Sequence, residues 1–192
     1  MKLYKAIGFF ARGILRIFFR IEIEGKEYAL EENGLICSNH ISNWDPVFIS
    51  AFYPYPIYWM AKEELFHNPL LRRLLTRLGA FPVDREKNDL SALKKALRLS
   101  KKGCNVGIFP EGTRVKERDP SLVKSGVGLL AMKTKGRVSP VSIRGNYRIF
   151  SRIKLVIQPP LEPQDLAPQG TKGQEAYQEV SMKIMDKIYG EG

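Results

Sequence analysis

Two periods of apolar residues alternate along this chain. Ile21–Gly25 (IEIEG) alternates apolar and charged positions and stops at a glycine, which predicts a short strand. Compact apolar runs at Leu35–Ser38, Ile57–Met60, Ala80–Val83 and Val106–Phe109 predict buried strands. Val138–Ile143 and Ile153–Ile157 predict two more. Pro140 cannot donate to a ladder, so its strand is expected to be an edge or an irregular one. Between these runs the period lengthens to about 3.6. Helices are predicted over Pro46–Tyr53, Leu70–Leu78, Asp89–Ser100, Gly126–Thr134 and Glu175–Tyr189. Pro69 suits a first helical turn and Gly79 a helix stop. In the Asp89–Ser100 helix, Leu90, Leu93, Ala96 and Leu97 are the expected inward face. Glu31–Gly34 reads as a turn, and residues 159–174, rich in Pro, Gln and Gly, as a surface loop. The order predicts one α/β domain over residues 21–192. Its sheet is expected to be mixed and mostly parallel, flanked by helices on both faces.

Residues 1–20 stand apart. Lys2, Lys5, Arg12, Arg16 and Arg20 fall within an arc of about 80° on a helical wheel, and the segment has no acid. Ile7, Phe10, Ala11, Ile14, Ile17 and Phe18 face away from them. A basic amphipathic helix with aromatic residues suits a membrane interface; packing on its own domain is the competing and compatible reading. Arg12 and Arg16 interrupt the apolar core that a signal peptide needs. No stretch reaches the length expected of a membrane-spanning helix.

Composition narrows the partner. With 192 residues, 44% of them hydrophobic, the chain is long enough for one domain with a real core. It holds 31 Lys and Arg against 20 Asp and Glu, a formal charge of +11, which points to an anionic partner. Residues 161–192 carry three basic and six acidic side chains, so the positive charge belongs to the preceding part. No zinc-ligand cluster or RNA-binding motif supports nucleic acid as that partner, and dinucleotide and P-loop fingerprints are absent. Cys37 and Cys104 each lie in a short apolar run and read as buried free thiols.

Chemistry concentrates after strands. Asn39-His40-Ile41-Ser42-Asn43-Trp44-Asp45-Pro46 follows one strand and opens a helix. His40 and Asp45 would lie about 140° apart on a continuous helix. They can pair only if His40 stays in the turn and Asp45 occupies the first helical turn, with Ser42 or Asn43 as cap. Asp45 would then hold one imidazole nitrogen and leave the other free as a general base. Trp44 is expected to pack. Phe109-Pro110-Glu111-Gly112-Thr113-Arg114 follows a second strand. There Gly112 permits a tight turn, Thr113 offers a hydroxyl, and Arg114 offers a planar fork for phosphate. Glu111 is placed to hold Arg114 or to bind a substrate hydroxyl. Arg85, beyond the strand ending at Val83, is a further phosphate-clamp candidate, with Asp84 competing for it.

Taken together, these units resemble the glycerolipid acyltransferases that make phosphatidic acid, the 1-acylglycerol-3-phosphate acyltransferases. The carriers are N-H-x-x-x-x-D (Asn39, His40, Asp45), G-x-x-x-x-x-R (Gly79, Arg85) and F-P-E-G-T-R (Phe109 to Arg114). A looser V-P-V-like strand at Ser139–Val141 completes the order over just over half the chain. The resemblance implies direct transfer of an acyl group from acyl-CoA or acyl-ACP to the sn-2 hydroxyl of lysophosphatidate. His40 would be the base and Asp45 its orienting partner. Arg85, Gly112, Thr113 and Arg114 would form the acceptor-phosphate site, with Glu111 ordering it. Lys124 and Lys62 are candidates for substrate phosphates. No metal and no cofactor beyond the acyl co-substrate are implied. The expected location is peripheral or monotopic, on the cytoplasmic face of an anionic membrane. The alternatives are another acceptor, such as glycerol-3-phosphate or a different lysolipid, or a non-catalytic lipid-binding or nucleic-acid-binding protein.

Overall fold

The computed structural model describes residues 2–84, 89–134, 136–168 and 170–190. The apolar runs pair into one seven-stranded sheet. Its strands are β1 (Arg20–Glu24), β2 (Leu35–Ser38), β3 (Ile57–Lys62), β4 (Phe81–Val83), β5 (Asn105–Ile108), β6 (Val138–Arg144) and β7 (Arg152–Ile157). The spatial order is β1-β7-β6-β2-β5-β3-β4. The five strands from β6 to β4 run parallel; β7 is antiparallel to β6, and β1 is parallel to β7. The sheet is therefore mixed and mostly parallel, as expected.

Six helices cover it: α1 (Lys2–Phe18), α2 (Asp45–Phe52), α3 (Pro69–Arg77), α4 (Leu90–Ser100), α5 (Ser125–Thr134) and α6 (Gly173–Tyr189). Side chains alternate across each strand, so neighbouring residues feed opposite cores. Leu35 and Cys37 meet α4, α5 and α6 through Ala92, Leu130 and Ile184. Ile36 and Ile57 join Leu15 of α1 with Phe48 and Ile49 of α2. Each fully buried Ile or Leu contributes about 2 kcal/mol. Helix starts are fixed locally. Asn68 accepts from the N–H groups of Leu70 and Leu71, and Asp89 from those of Ser91 and Ala92. Each such cap stabilises by about 1 kcal/mol.

Two sequence expectations need correction, and that for Pro140 narrows to the irregular one of its two alternatives. Pro140 does not mark an edge: β6 lies between β2 and β7. It is tolerated because the ladder is irregular at that point. Val138 bridges Leu161, whereas the regular pairing begins at Val141 with Ile157, one residue out of step. Pro140 still accepts from the Gln158 N–H on that side, and its absent donor falls in the bulge. Leu90 is not part of the inward face of α4 and is exposed, whereas Ala96 is buried and Leu93 and Leu97 pack against the core as expected, joined by buried Ala92 and Ser100. Small side chains there let the helix approach the sheet closely. Arg20 does not extend the basic helix. It starts β1, opposite Arg152. Cys37 is a buried free thiol, and Cys104 is free and half-buried.

Candidate active site

The site lies at the carboxyl ends of β2, β5 and β6, where open parallel sheets commonly hold ligands. Asn39, just past β2, stitches that end to β6. Its side-chain amide donates to the Ile143 carbonyl (2.9 Å) and accepts from the Ile143 N–H (2.8 Å). The chain then turns, and α2 begins at Asp45. This break in direction unites the two residues that a continuous helix would part. His40 Nδ1 donates to Asp45 Oδ2 at 2.8 Å, and both side chains are buried. The same oxygen accepts from the backbone N–H groups of Ile41 and Ser42, each at 2.7 Å. The other oxygen accepts from the Tyr147 hydroxyl at 2.5 Å. Four donors thus fix Asp45, and the Nε2 lone pair of His40 is left for chemistry.

The cap differs from expectation. Trp44 is the N-cap residue and gives no side-chain hydrogen bond, while Ser42 Oγ accepts from the Trp44 N–H (3.2 Å). Trp44 also does not pack: its side chain is largely exposed, because the cap backbone directs it outward.

The His40 ring is held from a second side. It stacks on Phe109 at 4.0 Å, and Phe109 stacks on Trp59 at 4.9 Å. Gly107 makes this sandwich possible, since a Cβ there would stand 2.5 Å from the Trp59 ring. The Glu111 carboxylate lies beneath the turn. One oxygen accepts from the His40 N–H (2.9 Å) and the other from the Tyr189 hydroxyl of α6 (3.0 Å). Burial pushes the Glu111 carboxyl up to about 7, against the opposing pull of these two donors, and the neighbouring Asp45 adds to the rise. Burial and the Asp45 charge likewise push the Tyr147 phenol well above its ordinary value, so it remains a donor.

One cavity reaches the pair at His40, and a second shares Met60 and Phe109 with it. One, of about 210 Å³, is apolar and reaches His40; Ile7, Ala11, Val47, Leu75 and Leu78 line it. The other, of about 220 Å³, is bounded by Asp84, Asp89, Gly112, Lys124 and the first residues of α5.

The acyltransferase family profile matches residues 20–144, from β1 to the end of β6. The 1-acyl-sn-glycerol-3-phosphate acyltransferase of Bacillus subtilis is 33% identical over 172 residues, covering 86% of this chain and 85% of that protein. This chain belongs to the PlsC-like acyltransferase family. The acyltransferase is also 36% identical over 117 residues to the 1-acyl-sn-glycerol-3-phosphate acyltransferase of Streptococcus pneumoniae, 60% of this chain and 43% of that protein. The crystal structure of the 1-acyl-sn-glycerophosphate acyltransferase PlsC from Thermotoga maritima matches with a TM-score of 0.72. It is 25% identical, over 97% of this chain and 78% of that one.

Of the remaining candidates, Gly112 and Lys124 line the second cavity and Lys62 the first. Gly112 takes a positive φ of 65°, which a side chain would strain. Thr113 and Arg114 are exposed, and Arg114 makes no ion pair among the described residues. Lys124 is exposed and lines the second cavity. Lys62, at the first cavity, pairs with Glu64 at 2.6 Å. Arg85 lies outside the described residues. Its bracketing neighbours Asp84 and Asp89 both line the second cavity, and the Asp84 N–H donates to the Asp89 carboxylate (3.0 Å).

Sequence reasoning passed over Tyr147 and Tyr189. Tyr147 is held by aromatic edges from Phe48 (5.0 Å) and Phe19 (6.2 Å), in a left-handed backbone conformation of φ 54°. The available signal was the Gly145-Asn146 turn signature at the carboxyl end of β6, which puts the next residue beside the His40 turn. Tyr189 has no comparable local signal; only the packing of α6 on the sheet brings it to Glu111.

Proposed function

We propose that this chain transfers a fatty acyl group from acyl-CoA or acyl-ACP to the sn-2 hydroxyl of 1-acyl-sn-glycerol-3-phosphate, giving phosphatidic acid. The observation that carries the reading is the buried His40–Asp45 pair at the floor of an apolar cavity. His40 Nε2 takes the proton from the sn-2 hydroxyl as its oxygen attacks the thioester carbonyl. The tetrahedral intermediate collapses with rupture of the carbon–sulfur bond, and the imidazolium returns its proton to the departing thiolate. The co-substrate supplies the acyl group, and His40 itself forms no covalent intermediate.

Within residues 40–45 the N–H groups of His40, Ile41, Ser42, Trp44 and Asp45 are already engaged. The Asn43 N–H has no partner among the described residues, and Asn43 shares the His40 cavity. It is therefore the backbone donor of this turn open to the developing oxyanion.

The second cavity is assigned to the acceptor phosphate. Arg114, Lys124, Gly112, Thr113 and the N-terminus of α5 supply its donors, with Arg85 added from the segment between Asp84 and Asp89. Glu111 serves this site indirectly by joining its loop to the His40 turn. Lys62 is assigned to donor phosphates at the mouth of the apolar cavity. No described helix is long and apolar enough to cross a membrane. The proposed attachment is peripheral, on an anionic cytoplasmic surface. On α1, Phe9, Phe10, Ile14 and Ile17 are exposed beside Arg12 and Arg16, while Leu15 docks on the domain.

The test is an activity panel crossing lysophosphatidate and glycerol-3-phosphate with acyl-CoA and acyl-ACP. Phosphatidic acid from lysophosphatidate supports the assignment; turnover of glycerol-3-phosphate alone contradicts it.

A further inference from the structure

The apolar cavity is walled in part by two helices that carry exposed apolar side chains. α1 lines it with Tyr4, Ile7, Gly8 and Ala11, and α3 with Leu75 and its C-cap residue Leu78. No residue of α3 is buried. Leu71, Leu75 and Leu78 are half-buried on the domain side. Leu70 and Leu74 carry the same apolar stripe outward and are 81% and 45% exposed. On a helical wheel the five leucines form one arc about 140° wide. The stripe therefore extends past the domain by two leucines. Leu70 is not on a loose end, because Asn68 caps its N–H at 3.0 Å.

Charge sits beside this overhang. Residues 68–78 contain Arg72, Arg73 and Arg77 and no acid. All three arginines are exposed, and none forms an ion pair among the described residues. Arg73 and Arg77 flank the outer edge of the leucine arc. α1 has the same three-part arrangement: a docked edge at Ala11 and Leu15, an exposed apolar edge at Phe10, Ile14 and Ile17, and cations at Arg12 and Arg16. Uncommitted cations next to exposed leucines match an anionic lipid interface, with apolar chains below and phosphates above.

We infer that α3 is a second membrane-docking helix. Leu70 and Leu74 enter the lipid interface, Arg73 and Arg77 contact anionic headgroups, and lipid thereby meets both lips of the cavity that ends at His40. The inference rests on the membrane reading of α1 for the meaning of the cavity mouth, but its test is separate. An acyl chain could then pass between bilayer and cavity without crossing water.

The experiment is partitioning of the full chain onto phosphatidylcholine vesicles with and without phosphatidylglycerol. Leu70→Ser/Leu74→Ser should lower partitioning onto the mixed vesicles about tenfold. Arg73→Gln/Arg77→Gln should lower it about tenfold on the mixed vesicles and leave binding to phosphatidylcholine alone unchanged. Both variants change exposed residues and should keep the unaltered thermal midpoint, which establishes folding. Phe9→Ser/Phe10→Ser tests α1 in parallel. If that variant binds normally while the leucine variant does not, the α1 reading fails and the α3 inference stands. If the leucine variant partitions like the unaltered chain, the inference is overturned whatever α1 does. Two further results would also overturn it. One is a lipid-free dimer that the leucine variant turns into a monomer, which assigns the face to a second copy. The other is retained vesicle affinity with lost affinity for acyl carrier protein, which assigns the face to that acidic partner.

Discussion

Two cavities meet at Met60 and Phe109, and the polar groups beside them are in opposite states. On the His40 side, polar groups are committed. Asp45 accepts four hydrogen bonds, both oxygens of Glu111 are occupied, and the imidazole is clamped by an aromatic stack. On the Lys124 side, the cations are uncommitted. Lys124 and Arg114 stand exposed without ion pairs among the described residues. Under the proposed assignment, the contrast follows from what each region must do. A general base works only if its orientation is settled before substrate arrives, so neighbouring donors are used to settle it. A phosphate site works only if its donors are available to the incoming charge. The comparison also separates the expected kinetic signatures, since damage to the first region should slow turnover and damage to the second should weaken binding.

The largest break should come from His40→Ala. Loss of the general base is expected to lower kcat by about a thousandfold while the fold persists. Steady-state rates with lysophosphatidate, alongside circular dichroism, check this. Tyr147→Phe should come next. It keeps the ring contacts to Phe48 and Phe19 and removes one donor from Asp45. A hydrogen bond of this kind is worth about 1.4 kcal/mol, so kcat should fall about tenfold with KM unchanged. The pH profile of kcat/KM should also move, because Tyr147 acts through the pair; an unmoved profile would leave Tyr147 with a packing role only. Arg114→Ala and Lys124→Ala should each raise the acceptor KM about fivefold and spare kcat, which would sharpen the division between the cavities.

The remaining effect is read in stability, not in rate. Glu111 has its carboxyl raised from 4.5 to about 7 in the folded chain. Between those values the folded state keeps a proton that the unfolded state releases, so stability falls as pH rises through the window and levels off above it. The slope should reach at most about 1.4 kcal/mol per pH unit. Glu111→Gln should flatten it, as read from urea midpoints at a series of pH values.

Much of this architecture was legible in the sequence because local patterns carry it. Strands such as Leu35–Ser38 and helices such as Leu90–Ser100 followed from period and capping alone. The His40–Asp45 contact was also legible, since it needs only a turn and a helix start within six residues. What escaped depends on distant packing. Whether Pro140 marks an edge or an irregular strand could not be told locally, because the irregularity is formed with distant Leu161. Tyr147 reaches Asp45 only because β6 lies beside β2, and Tyr189 reaches Glu111 only because α6 lies across the sheet. Leu90 looked inward because it continues the leucine stripe of α4, yet it lies at the first residue of that helix and is exposed, while Leu93, Ala96 and Leu97 face the core as expected.

The central claim is that His40 drives acyl transfer to lysophosphatidate. The most direct measurement is formation of phosphatidic acid by the purified chain from lysophosphatidate and an acyl thioester, side by side with His40→Ala. Product should form with the unaltered chain and about a thousandfold less with the variant at equal folding. Product formed at undiminished rate by His40→Ala would contradict it.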